Sequence, residues 1–204
     1  MTKRKIDASF ELARYFDKGT KVTVSVEQYN EALAAVDKKE IANMVYHRLH
    51  ARYLKPFLFK DKIYKNEYKN GFSIMANFCL LIETLHSFKN GWSDSNGRSG
   101  QAFKDFFNSD KNFKELKSRG NEIYVNIRCG ILHQGETTNG WKIDRDDRTL
   151  IDGKTIHAVT FQKRLEKSLE EYRDSLQDEK WDSELWDNLR RKMRKIISNC
   201  AKHQ

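Results

Sequence analysis

The sequence predicts an all-α fold: one helical domain over residues 1–204, with its core across about 25–200. Three observations carry this expectation. One proline and ten glycines leave too few breaks for a sandwich or barrel built on tight turns. Apolar residues recur at steps of three and four through most of the chain. Twelve Phe, eight Tyr and four Trp supply enough bulk to organise a core, which excludes global disorder. At 204 residues, with no internal repeat, low-complexity stretch or clean linker, a single domain is expected.

Residues 1–20 form a peripheral segment. Within it, Phe10-Glu-Leu-Ala-Arg-Tyr-Phe16 is expected as one or two helical turns ended by Gly19. Lys21–Val26 reads as a short strand or an extended lead-in. Ser25 then caps a helix carrying Val26, Tyr29, Leu33 and Val36 on one face. Asp37 caps a second, with Ile41, Met44, Val45, Leu49 and Tyr53, and Pro56 ends it at or before Lys55. Gly71–Asn90 is the most apolar helix, and its apolar circumference places it centrally. A loop follows, then a short aromatic helix over 101–108 and another helix over 120–133. Residues 141–159 read as a small hairpin or extended arm with a turn at Asp152-Gly153. Thr160 is expected to cap the next helix, and Ser183 opens the last.

Thirty-eight Lys and Arg against 29 Asp and Glu give a net charge of +9. The excess is uneven. Residues 38–70 hold nine basic residues and three acids, and the last helix adds Arg190, Arg191, Lys192, Arg194, Lys195 and Lys202. Such a distribution attracts polyanions, with phosphate backbones the usual partner. Phe57, Phe59, Tyr64 and Tyr68, interleaved with lysines, are candidates for stacking on bases, or core residues under a loop. Cys79, Cys129 and Cys200 are odd in number and widely spaced, which speaks against a disulfide framework or zinc site and for a reducing cytoplasm. No signal-peptide core opens the chain, and no uninterrupted apolar run of about 18 residues predicts a membrane span. His47 and His50 lack carboxylates or thiols at ligand spacing, so no metal is expected. Gly97-Arg-Ser-Gly100 lacks the ending of a phosphate-binding loop, and no cofactor is expected.

The chemistry concentrates in residues 121–141, where polar side chains interrupt an apolar helix and its exit. Arg128 and His133 are five apart, a divergence of about 140° on an ideal helix. They can meet if the arginine wraps around, if the helix distorts, or if a dimer axis joins two copies. Asn126 shares a face with His133, and Cys129 and Gly130 between them are small enough to admit a backbone or a phosphate. An imidazole can move a proton at a ribose 2′-hydroxyl or a leaving 5′-oxygen, and a guanidinium can hold the phosphate. Glu136 and Glu83, the only acid of the apolar helix, are candidates to orient them. The alternative is a histidine that caps carbonyls at a helix C-terminus.

The string Arg128-Cys-Gly-Ile-Leu-His133, followed by Gln-Gly-Glu136 and Gly-Trp141, resembles the HEPN-domain proteins, small bacterial members of plasmid, toxin–antitoxin and defence settings in particular. With the helical order around it, the resemblance covers about residues 25–200. It implies a helical bundle, commonly a homodimer, with Arg128 and His133 lining a cleft at the dimer interface. It also implies metal-independent RNA cleavage, with Arg128 stabilising the phosphate and His133 acting as general acid or base. A cognate antitoxin or other partner protein is a further implied partner. Cys129 stands where active members often carry a polar residue. The alternative is therefore a non-catalytic module that binds RNA, a nucleotide or a protein; a purely structural basic bundle comes third.

Overall fold

Lys18 and Gly19 both have positive φ, 45° and 85°, and together form a two-residue hairpin turn. The computed structural model describes residues 6–57, 67 and 69–200. In chain order the described elements begin with strands β1 (Glu11–Asp17) and β2 (Thr20–Ser25). Helices α1 (Val26–Ala34), α2 (Lys38–Tyr53), α3 (Gly71–Lys89) and α4 (Ser99–Ser109) follow. Next come α5 (Gly120–Ile123), a π-helical turn (Tyr124–Cys129) and α6 (Gly130–Gln134). Strands β3 (Lys142–Asp144), β4 (Ile151–Asp152) and β5 (Thr155–His157) precede α7 (Ala158–Asp178) and α8 (Glu184–Ser198). The protein is predominantly helical, but it is not strictly all-α.

The contacts define two compact units. One, here the terminal unit, takes Met1–Ala51, Ser87–Asp94 and Glu170–Gln204; the other, the central unit, takes Arg52–His86 and Ser95–Leu169.

In the terminal unit, β1 and β2 pair antiparallel from Glu11↔Ser25 to Asp17↔Thr20. The helical turns expected over 10–16 are thus a strand. The positive-φ turn returns the chain onto itself, and cross-strand pairs such as Tyr15↔Val22 decide the conformation of a segment too short to hold a helix alone. Ser25 caps α1 with a full capping box: its hydroxyl accepts from Gln28 N (3.2 Å), and Gln28 Oε1 accepts from Ser25 N (2.8 Å). Asp37 Oδ1 accepts from Glu40 N at 2.9 Å, as its position predicted. Trp186 of α8 is fully buried and donates its indole N–H to Leu176 O at 2.9 Å.

Tyr29 is buried in this unit, and burial pushes its hydroxyl pKa up to about 12, against the pull of Arg190 and Arg194. The folded state therefore holds a proton that the unfolded chain releases near pH 10. The stability this contributes is complete below about pH 10 and lost at about 1.4 kcal/mol per unit as pH rises toward 12. A urea series between pH 9 and 11.5 is expected to show that slope, reduced in Tyr29→Phe.

In the central unit a phenylalanine cluster forms the core: Phe113 lies 4.9 Å from Phe161 and 5.4 Å from Phe107, ring centre to ring centre. The expected arm over 141–159 is a three-stranded sheet ordered β3-β5-β4, with β5 parallel to β3 and antiparallel to β4. Gly153, at φ 56°, makes the anticipated turn. Thr160 does not cap α7, which begins at Ala158; its hydroxyl donates to Arg148 O at 2.6 Å instead. A 3-10 helix, Lys111–Leu116, lies in a stretch where no element was expected. Most of the aromatic–lysine alternation of 57–70, including Phe59, Tyr64 and Tyr68, falls outside the described residues. Helix α3 has the length and apolarity to cross a bilayer, but 61% of its most apolar window is buried inside the protein, and it carries the buried polar residues Glu83, His86 and Ser87.

Candidate functional site

Helix α5 starts against the backbone of α4. A Cβ on Gly120 would lie 2.6 Å from Phe103 O, so only glycine allows the approach. The chain then widens into the π turn, Tyr124–Cys129. Such turns are rare inside α-helices and are frequent at functional sites. The helix does distort, over Tyr124–Cys129 and so at Arg128 itself; α6 resumes at Gly130, before His133.

Arg128 is partly buried. Its Nε donates to Glu83 Oε1 at 3.0 Å, and its guanidinium carbon sits 5.7 Å from the centre of the Tyr124 ring. That ring is itself placed by Gly100, where a Cβ would meet it at 3.1 Å. Glu83 is 6% exposed. Its second oxygen accepts from Ser95 Oγ and Ser99 Oγ, each at 2.7 Å. Burial works against the charge on Arg128, but the Glu83 carboxylate outweighs it, and the guanidinium pKa is raised. The arginine is a cation at every usable pH.

Tyr124's hydroxyl pKa is raised, first by a hydrogen bond with Cys129 and then by burial, so it stays protonated. Cys129 is half-buried, while Cys79, one helical turn from Glu83 on α3, is buried and its thiol is pushed up by desolvation. Sequence reasoning missed Ser95, Ser99 and Tyr124. The serines lie four residues apart around Gly97, a spacing that places two hydroxyls on one side of a tight loop, but neither position matches a catalytic motif.

Asn126 makes no hydrogen bond to His133. It is buried, and its Oδ1 accepts from Thr138 Oγ1 (2.9 Å) and Asn139 Nδ2 (2.6 Å) while its Nδ2 donates to Glu122 O (2.9 Å). It ties the loop after α6 back onto the helix. Gly130 is the matching hole: a Cβ there would lie 2.5 Å from Glu136 O. The close approach expected at Cys129-Gly130 is thus made by the protein's own backbone. Gly130→Ala is expected to cost about 2 kcal/mol by chemical denaturation, since overpacking against a carbonyl outweighs the helix propensity gained. Glu136 is exposed and accepts from Thr137 N at 3.0 Å; it orients neither Arg128 nor His133.

His133 lies in the last turn of α6, which Gly135 closes at φ 69°. It is exposed, caps no carbonyl, and no described residue bonds its imidazole. Within one protomer no hydrogen bond or ion pair joins it to Arg128. Exposed apolar side chains flank both positions in sequence: Val125 (44%) and Leu132 (45%), with Leu80 (40%) three residues before Glu83.

His47, His50 and His86 are structural in setting. His47 stacks on Tyr15 at 3.9 Å, His50 on Tyr46 at 5.5 Å, and His86 is buried 3.9 Å from Asp105 Oδ2. No cluster of three metal-ligating side chains occurs among the described residues. A cleft of about 330 Å³, lined by Lys69, Phe72, Ile143 and Arg145 among others, involves none of the candidate residues. Comparison with known proteins yields no match: no family model, no curated protein and no solved structure.

Proposed function

We propose that the protein is a metal-independent endoribonuclease of HEPN type, of toxin or defence setting, in which Arg128 holds the scissile phosphate and His133 moves the proton. The observation that supports this reading most is the treatment of Arg128. A buried carboxylate, two hydroxyls and an aromatic ring fix a permanently charged guanidinium at a π turn, five residues before an exposed imidazole that no described residue engages. One Nε–H is committed to Glu83, and a guanidinium has five N–H donors, so donors remain for a phosphate. A homodimer brings a second His133 to each Arg128, and the exposed Leu80, Val125 and Leu132 are apolar material for such an interface. RNA is the substrate class, and an antitoxin-like protein is a further partner.

The test is cleavage of a mixed RNA pool in EDTA, with the oligomeric state measured by sedimentation. Cleavage by a dimer supports the reading. No cleavage at high protein concentration moves it to the second one, a module that binds RNA, nucleotide or protein without cutting. That second reading draws on Cys129, which is half-buried in the π turn where a polar residue is common in active members.

A further inference from the structure

Ser95 and Ser99 belong to none of the motifs that suggested a function, yet both point their hydroxyls at one oxygen of a buried carboxylate. We propose that they are positioning residues for Arg128, acting through Glu83; the claim rests on the nuclease reading only for its consequence on catalysis.

The physical argument starts from Glu83. A carboxylate at 6% exposure has lost most of its water, and an ionised one is retained in such a place only if its lone pairs are taken up. Arg128 supplies one donor, to Oε1 at 3.0 Å. Ser95 and Ser99 supply two more, to Oε2 at 2.7 Å each, the usual length for a hydroxyl donor. Three donors arriving from two elements leave the carboxylate a single orientation. The serines are themselves held: Arg98 N donates to Ser95 O at 3.0 Å, closing the loop, and Ser99 opens α4. The same opening turn carries Gly100, against which Tyr124 packs, and Tyr124 lies under the guanidinium. One short stretch, 95–100, therefore sets both the carboxylate and the ring that define where Arg128 can be. A guanidinium pinned by Nε on one side and by a ring face on the other presents its remaining donors in one direction, as a phosphate site needs.

The test reads Arg128 directly. In ¹H–¹⁵N spectra the Arg128 Nε–H is assigned by its loss in Arg128→Lys, and its exchange with water is measured in wild type and in Ser95→Ala/Ser99→Ala. Exchange is expected to rise at least about tenfold in the double variant, and kcat on an RNA pool in EDTA to fall about tenfold to a hundredfold with KM changed less than about threefold. Ser95→Thr/Ser99→Thr, which keeps both hydroxyls, is expected to restore both values. If the double alanine variant does not fold, Ser95→Ala alone takes its place. Unchanged Nε–H exchange overturns the proposal whatever the activity. Faster exchange with unchanged kcat, in a background where Arg128→Lys impairs cleavage, overturns it as well. Should wild type cut no RNA, the nuclease reading fails by itself, and the exchange measurement still decides whether the two serines hold Arg128.

Discussion

His133→Ala is expected to lower RNA cleavage by about a hundredfold to ten-thousandfold, the range for loss of a general acid or base. The variant should melt with wild type, because an exposed side chain without partners contributes within about 0.5 kcal/mol. This separation of activity from stability makes His133 the cleaner probe of the two candidate residues. Arg128→Ala cannot give it, because the same change strands a buried carboxylate. The comparison needed is initial cleavage rate against thermal midpoint for both variants side by side. Loss of cleavage in His133→Ala with an unchanged midpoint assigns the proton transfer; full activity removes His133 from the mechanism.

Glu83→Ala is expected to destabilise the protein by about 3 kcal/mol, since removing one partner of a buried pair leaves the other charge uncompensated. For a chain of this length that corresponds to a midpoint lower by about 6–12 °C. Arg128→Leu is expected to cost a comparable amount for the mirror-image reason. The double variant Glu83→Ala/Arg128→Leu should cost clearly less than the two singles together, because neither charge is then left bare. Urea denaturation of the four proteins closes that cycle. Strict additivity would mean that the pair in the structure contributes no coupling.

Much of the helical framework was legible in the sequence. Ser25 and Asp37 cap where their side chains suggested, and Pro56 lies just beyond the end of α2, because capping and proline geometry act through residues adjacent in the chain. What was missed depends on partners distant in sequence. Leu12 and Tyr15 have the composition of a helical turn, and only pairing with β2 makes them a strand. The parallel pairing of β3 with β5 brings Ile143 beside Ile156 although β4 intervenes in the sequence, which no local pattern announces. The same holds at the candidate site. Arg128 was visible as a residue of interest, and Glu83 as an odd acid in an apolar helix, but the serines that complete the set lie 12 and 16 residues beyond Glu83, one in a loop and one at the start of α4. Asn126 is likewise tied to Glu122, Thr138 and Asn139, and the last two lie in a loop whose return onto the helix no local pattern announces.

The π turn gives the protein one place where it can tolerate a change in chain length. A π turn closes with one residue more than an α turn, so the segment Tyr124–Cys129 absorbs an extra residue that the flanking helices do not. Deleting a single residue there lets the helix close as continuous α with the residues on either side kept close to their register, whereas the same deletion inside α3 rotates everything downstream of it by about 100°. What the deletion removes is the wide turn on which Arg128 sits. The two-residue turn at Lys18-Gly19 has no such slack, because its length sets the pairing of β1 with β2.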